Sequence, residues 1–136
     1  MRETIKLMKV LSDESRLRVL NLIQERECCV CEVMLVMGIS QSKASRICSA
    51  LYDTGLLNLQ REGRWARYSI NRESAKGYVG DILTGIKKSL ADNPAAQADL
   101  ARLREVEKMV TNCASDECME KIPESMLRLK SKRQTA

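Results

Sequence analysis

Three of the six cysteines in this 136-residue chain stand together at Cys28, Cys29 and Cys31. Thiolate sulfur is a soft ligand that prefers soft ions and discriminates against Mg²⁺ and Ca²⁺. The chain contains no His, which excludes Ser-His-Asp and Cys-His catalysis, proton transfer by imidazole near neutral pH, and metal ligation by a ring nitrogen. The cluster is therefore a candidate site for a soft metal or metalloid ion held by sulfur.

The composition places these cysteines in a single domain, or a domain plus an arm. The chain has 44% apolar residues, 30% charged residues and a net charge of +5, which is enough apolar material for one core. No apolar run approaches the roughly 20 residues of a membrane span, and the N-terminus lacks the apolar region of a signal peptide. We therefore expect a cytoplasmic protein without a membrane partner, in which thiols stay reduced or bind metal.

The N-terminal third is predicted to be helical. Apolar residues at helical spacing predict one helix before Ser12 and a second after Asp13, which can cap it. The apolar run over residues 28–37 predicts a buried helix of two to three turns, which Gly38 ends.

The cysteine cluster falls at the start of that third helix. There the unpaired amides and the helix dipole favour the thiolate and lower thiol pKa values. Cys29 and Cys31 would be separated by about 200° around the helix axis. We therefore expect that the two sulfurs bind one ion only if the first turn unwinds.

The next helix, capped by Ser40, has two opposite faces. One face is apolar and the other carries short hydroxyl side chains and Arg, which suits insertion into a DNA groove; an ordinary amphipathic surface helix is the alternative. Cys48, on the apolar face, is expected to be a small buried hydrophobe. The apolar face comprises Ala44, Ile47, Cys48 and Leu51, and the polar face comprises Ser42, Ser45, Arg46 and Ser49.

A β-hairpin is predicted next, with strands over residues 56–61 and 65–70 and a turn at Gly63. Arg61, Arg64 and Arg67 lie on or beside its tip. Residues 41–72 contain six basic and two acidic side chains and so supply +4 of the net charge. This excess predicts contact with a phosphate backbone.

The C-terminal part is predicted to contain two more helices. One is expected from Asn71 to about Ala91, and a second roughly over residues 95–110, after Asn93-Pro94 interrupts the first. Residues 111–123 are polar and irregular, and the basic end is expected to be flexible. We thus predict a domain over residues 1–92 and a helical extension over residues 93–136.

This order of elements, mainly α with a small β-hairpin, is that of a winged helix-turn-helix. The sequence resembles the ArsR/SmtB family of bacterial metal- and metalloid-responsive repressors over about residues 4–91. The resemblance is carried by residues 11–20 (LSDESRLRVL), 27–33 (ECCVCEV) and 38–46 (GISQSKASR), continuing into Gly55-Leu56-Leu57 and residues 61–65 (REGRW).

The resemblance implies an inducer site. Residues 29–31 match the Cys-Val-Cys signature of the arsenic-responsive branch, so Cys29 and Cys31 are implied to bind As(III) or Sb(III), with cadmium and lead as further candidates. Met34 stands where that branch often has a third Cys, which leaves Cys28, Cys113, Cys118 or no residue as the third ligand. Ile47 stands at the position of the recognition helix where the family often has His. We expect the bound ion to distort the third helix, shift the recognition helix and release DNA.

The resemblance also implies a homodimer on operator DNA, with two recognition helices about one duplex turn apart. The N-terminal helix and the Val79–Leu90 helix are the expected dimer interface. The wing arginines, Arg61, Arg64 and Arg67, are expected to meet phosphate or the minor groove. The side chains expected in the major groove are Gln41, Ser42, Lys43, Ser45, Arg46 and Ser49.

Two other functions remain open at this point. A redox-sensing repressor of the same fold would use the same cysteines to form a disulfide. A thiol enzyme is disfavoured because the chain lacks a phosphate-binding Gly-rich loop, a Cys-x-x-Cys strand–helix unit and a His base.

Overall fold

Six helices and three short strands follow one another in the computed structural model, which describes residues 1–63 and 65–109. The predicted class, a mainly helical winged helix-turn-helix with a small hairpin, is confirmed. The elements are α1 (Arg2–Leu11), α2 (Glu14–Glu25), β1 (Cys28–Cys29), α3 (Val30–Met37), α4 (Gln41–Asp53), β2 (Leu57–Glu62), β3 (Trp65–Ile70), α5 (Gly77–Leu90) and α6 (Pro94–Met109).

The predicted helix caps are present. The Asp13 carboxylate accepts a hydrogen bond from the Arg16 N–H at 3.0 Å, and the Ser40 hydroxyl accepts one from the Lys43 N–H at 3.2 Å. These bonds satisfy amides that have no partner within their own helices.

Glycines follow both helices of the helix-turn-helix, α3 and α4. Gly38 ends α3 with φ 65°, and its N–H donates to the Met34 carbonyl at 2.8 Å. Gly55 follows α4 with φ 88°, and its N–H donates to the Tyr52 carbonyl at 2.9 Å. Both backbone angles lie in the left-handed region, which glycine enters without the penalty that a Cβ imposes.

The three strands form one antiparallel sheet in the order β1-β3-β2. The β2–β3 hairpin is the predicted one, with Leu57 opposite Ile70 at its base. β3 is the central strand because β1 pairs with its other edge. Cys28 lies opposite Tyr68, and Cys29 lies opposite Arg67.

Strand β1 corrects the prediction of a helix over residues 28–37. Cys28 and Cys29 are extended, and the helix begins only at Val30. The backbone of these two residues pairs with β3, which lies about 40 residues later in the chain. A two-residue strand has no periodicity in sequence by which it could be recognised.

The predicted start of the helix after the hairpin is also wrong. Helix α5 begins at Gly77 rather than at Asn71. The Asn71 Oδ1 atom accepts hydrogen bonds from the N–H groups of Glu73 and Ser74, at 3.1 and 3.3 Å. This side-chain turn competes with helix formation, as Asn commonly does.

Helix α3 lies at the centre of the core, and all eight of its residues are buried. Helix α6 covers it: Leu103 and Val106 belong to the same core, and the Arg102 guanidinium donates to the Leu35 carbonyl at 3.1 Å. The domain boundary at residue 92 stays a prediction. Cys113, Cys118, the segment 111–123 and the basic end lie outside the described residues.

Candidate soft-ion site and nucleic-acid interface

Cys29 and Cys31 converge at the junction of β1 and α3. Their Sγ atoms lie 2.7 Å apart, and neither residue is exposed to solvent. A disulfide bond is about 2.05 Å long, so the two sulfurs are not bonded to each other.

This convergence contradicts the expectation that the two side chains point about 200° apart. That expectation placed both residues inside a helix, whereas Cys29 is the N-cap residue of α3, with φ −88° and ψ 162°. An extended N-cap turns its side chain over the first helical turn, which brings its sulfur to that of Cys31. Unwinding of the helix is therefore not required for both sulfurs to reach one ion.

Glu32 and Arg26 hold the backbone of this junction. The Glu32 carboxylate accepts a hydrogen bond from the Cys29 N–H at 3.2 Å, as Glu at the third helical position does in a capping box. Its other oxygen pairs with the Arg26 guanidinium at 2.5 Å, although Glu32 is buried. Arg26 also lies 3.7 Å from Glu107 of α6. The N-cap is thus fixed by a chain of charged groups.

Cys28 does not converge with the other two sulfurs in the same way. Successive side chains of a strand point to opposite faces, and the Cys28 Sγ atom lies 3.3 Å from the Arg26 carbonyl. Burial raises the pKa of the Cys28 thiol to about 12. The expected lowering of its pKa by the helix start is therefore wrong, because Cys28 lies before the helix and burial removes the solvent that would stabilise its thiolate. Its role as third ligand stays a prediction.

The Cys29 and Cys31 sulfurs are close enough together to reach a shared ion. Metal–thiolate bonds are about 2.3 Å long in protein zinc sites, so two sulfurs on one such ion cannot be more than about 4.6 Å apart. The observed separation of 2.7 Å lies within this limit, and the two sulfurs must move slightly apart to admit an ion. Among residues 1–63 and 65–109, no group of three Cys, Asp or Glu side chains is placed to hold an ion. The described part of the chain thus offers a two-sulfur site.

Helix α4 presents the predicted polar face to solvent. Its apolar stripe is buried, including Cys48, whose thiol pKa burial raises to about 12. Ser45 is half-buried, whereas five of the expected groove residues are exposed: Gln41, Ser42, Lys43, Arg46 and Ser49. A helix that is packed on one side and polar on the other can enter a major groove.

The wing residues have different environments. Arg61 is exposed on β2. Arg67 is half-buried on β3, and its guanidinium lies 3.1 Å from the Glu27 carboxylate. Arg64 lies outside the described residues. The expected DNA contacts of all three arginines stay predictions.

Three residues near the cysteines were not singled out in the sequence: Glu27, Glu32 and Tyr68. Glu32 could have been found from its spacing, since it stands three residues after an N-cap position. Glu27 and Tyr68 could not, because their partners are brought close only by the pairing of β1 with β3.

Comparison with known proteins identifies the region that contains the helix-turn-helix. Residues 13–58 match the model of the family described as "Bacterial regulatory protein, arsR family". A solved structure, HlyU from Vibrio cholerae N16961, superposes with a TM-score of 0.57 at 22% sequence identity, covering 67% of this chain and 95% of HlyU. This likeness shows a shared fold.

Three relatives have names that refer to arsenic. The "Arsenical resistance operon repressor" of Escherichia coli K12 is 38% identical over 68 residues, which are 49% of this chain and 58% of the relative. "Arsenic resistance transcriptional regulator ArsR2" of Pseudomonas putida KT2440 is 43% identical over 68 residues, 49% of this chain and 59% of the relative. The "Arsenical resistance operon repressor" of Bacillus subtilis 168 is 32% identical over 76 residues, which are 55% of this chain and 72% of the relative. The chain thus spans less than two thirds of the length of the first two.

None of the described helices is long and apolar enough to cross a membrane.

Proposed function

This chain belongs to the bacterial arsR family of regulatory proteins, and we propose that it is a transcriptional repressor that binds operator DNA as a homodimer and leaves it when As(III) or Sb(III) binds to Cys29 and Cys31. The observation that carries the proposal is the 2.7 Å separation of the two buried sulfurs beside the helix-turn-helix. The names of the relatives agree with a role in arsenical resistance.

The proposed inducer matches the chemistry of the donor atoms. A soft, thiophilic ion is bound by thiolates in preference to hard cations. Cys29 and Cys31 would hold it at the first turn of α3, and Glu32 would keep the Cys29 backbone in place. Only a difference in affinity between the two conformations can shift the protein off DNA; a near-complete switch needs about 5.5 kcal/mol. Structural metal–thiolate sites reach about 10–16 kcal/mol, so the driving force is sufficient.

The proposed DNA surface is formed by α4 and the hairpin. The exposed polar face of α4 faces the major groove, with Arg46 and Lys43 as its cations. The wing meets the backbone or the minor groove through its arginines. A dimer presents two such surfaces to two half-sites of a near-palindrome.

The proposed dimer interface lies on α1 and α5. Ile5 and Met8 of α1 are each 46% exposed, and Tyr78 of α5 is 50% exposed. The Thr4 hydroxyl and the Tyr78 hydroxyl lie 3.5 Å apart, so the two helices form one continuous surface. Large apolar side chains that a monomer leaves in water support association of two copies.

A redox-sensing repressor is the second candidate, favoured by the 2.7 Å approach of the Cys29 and Cys31 sulfurs, which an oxidant could join as a disulfide. In that case a two-electron oxidant such as diamide would take the hydrogens of the Cys29 and Cys31 thiols, a disulfide would form between them, and this bond rather than capture of an ion would release DNA. Both candidates use Cys29, and the reagent that releases the protein from DNA, arsenite or an oxidant, distinguishes them.

The test is a mobility-shift assay on the promoter of the chain's own operon, with fully reduced protein. We expect arsenite to release the wild-type protein and to leave the Cys29→Ser and Cys31→Ser variants bound. Cys48→Ala is the matched control, since Cys48 is buried outside the site, and it should respond as the wild type does. Release of both serine variants by arsenite would reject the inducer site. Release by diamide but not by arsenite would favour the redox candidate.

A further inference from the structure

Strand β3 connects the cysteine pair directly to the wing. It is the central strand of the sheet, it forms one arm of the hairpin, and it pairs with β1. Cys29, whose sulfur lies against that of Cys31, is opposite Arg67 in this pairing. A displacement of Cys29 therefore acts on the wing through backbone hydrogen bonds, without passing through α4.

An ion pair reinforces the same connection. The Glu27 carboxylate, two residues before Cys29, lies 3.1 Å from the Arg67 guanidinium. Exposed ion pairs are weak, and here the side chains are 53% and 28% exposed. The ion pair between Glu27 and Arg67 can therefore break when the strands move by a small distance.

The next residue of β3 reaches the recognition helix. The ring of Tyr68 packs edge-on against that of Tyr52 of α4, with 6.4 Å between the ring centroids. Burial raises the pKa of Tyr68, and hydrogen bonding with Ser49 of α4 lowers it. Tyr68 is also the residue opposite Cys28. One short stretch of β3 therefore contacts the cysteine strand and the recognition helix.

The cysteine pair has to move when it takes up an ion. At 2.7 Å the two sulfurs are closer than the sum of their van der Waals radii, so there is no space between them for a guest. Cys31 is inside α3, which is buried throughout. Cys29 lies outside the helix, in a strand of only two residues. The hydrogen bond from its N–H to Glu32 limits its displacement, and the displacement that remains is passed to the partner strand β3.

We propose that Glu27, Arg67 and the pairing of β1 with β3 transmit occupancy of the cysteine pair to the wing, so that Glu27 is a positioning residue of the response. This inference rests on the proposed function. Displacement of Cys29 shifts β1, Glu27 moves with it, and Arg67 with the rest of β3 follows. The wing then leaves the position in which it binds DNA.

Trp65 allows the test to be made without DNA, because it is the sole tryptophan of the chain and lies on β3 two residues from Arg67. The reduced 136-residue chain is titrated with sodium arsenite while Trp emission is recorded, and binding is measured separately by calorimetry. We expect the emission of the wild type to change and to saturate together with binding. Cys29→Ser should show neither binding nor the emission change.

The decisive variant is Glu27→Gln, with Glu73→Gln as its control. Glu73 is an exposed carboxylate in the turn after β3, so both variants remove one negative charge near the hairpin. We expect Glu27→Gln to bind arsenite as the wild type does but to show an emission change smaller by at least about twofold, which corresponds to the lower end of coupling energies between contacting residues. Glu73→Gln should keep the full change.

The outcomes separate this inference from the function on which it rests. Calorimetric binding of arsenite to the wild type with no change in Trp emission overturns the transmission through the wing and leaves the inducer site standing. A full emission change in Glu27→Gln overturns the role of Glu27. Absence of arsenite binding to the wild type overturns both proposals.

Discussion

Arg18 on α2 and Asp99 on α6 form a two-pronged ion pair, in which the guanidinium Nε and Nη2 atoms lie 2.8 and 2.7 Å from the two carboxylate oxygens. The Asp99 side chain is 4% exposed and that of Arg18 is 23% exposed. Bidentate bonds between charged groups are among the stronger polar contacts in proteins. Helix α6 is thereby fixed to the helix that leads into the cysteine strand.

Removal of this pair should destabilise the protein without altering DNA recognition. Asp99→Ala is expected to lower the free energy of unfolding by about 1–3 kcal/mol, because it leaves a partly buried Arg18 without its acceptor. Urea denaturation followed by circular dichroism measures the loss. Glu105→Ala, an exposed position on the same helix, should stay within about 0.5 kcal/mol of the wild type; equal losses in the two variants would contradict the assignment.

Arg46 and Arg61 are expected to contribute differently to DNA binding. Arg46→Ala should cost about 1–3 kcal/mol on the cognate site and little on random DNA, because a side chain in the major groove reads base edges. Arg61→Ala should weaken binding to both DNAs alike and reduce the salt slope by about one. Fluorescence anisotropy at several salt concentrations measures both effects. An equal loss on cognate and random DNA for Arg46→Ala would contradict its place in the groove.

Glu32 should matter for ion binding although it is not itself a proposed ligand. Glu32→Ala removes the acceptor of the Cys29 N–H and the partner of Arg26, and residues that orient ligands typically affect metal affinity about 10–100-fold. We expect arsenite affinity, measured by calorimetry, to fall by that factor. Glu32→Gln retains an acceptor and should lose less. Wild-type affinity in Glu32→Ala would show that the cap does not position Cys29; Glu25→Ala, at an exposed position, controls for lost charge.

Alkaline stability should depend on Cys48. Burial raises the pKa of its thiol from 9.0 to about 12. Between these values the unfolded chain has lost the proton and the folded chain retains it, so the unfolded state binds fewer protons and stability falls as pH rises, by at most about 1.4 kcal/mol per pH unit for this group. The loss is absent below about pH 9. Chemical denaturation across this range should show a shallower decline in Cys48→Ala, whereas parallel curves would refute it.

Much of the fold could be predicted from local sequence. Asp13 and Ser40 are caps, Gly38 ends a helix, and the alternation of strand formers around Gly63 marks the hairpin. Each of these signals depends only on residues that are close together in the sequence. The polar and apolar faces of α4 follow from the same short-range periodicity.

The geometry of the cysteines could not be predicted in this way. Cys29 leaves the helix because β3 supplies a backbone partner from far along the chain, and a pattern of side chains carries no information about that partner. The pKa of Cys28 follows from the same cause: helix position alone favours the thiolate, but the surrounding core removes the solvent that would stabilise it. The helical pattern also predicts that α5 starts at Asn71, but the Asn71 side chain forms a turn there and the helix begins at Gly77.

The left-handed turn at Gly55 determines which replacements that position accepts. A Cβ atom built there would meet nothing within 4 Å, so crowding does not oppose a larger residue. The cost of a replacement comes instead from the backbone angle, φ 88°, at which the Cβ atom of an L-residue lies too close to a carbonyl oxygen. This cost is about 1–2 kcal/mol and is nearly independent of side-chain size. Asparagine has a short polar side chain that suits this conformation, so it is the replacement that destabilises the turn least. Alanine has no such advantage, although its side chain is the smallest that carries a Cβ.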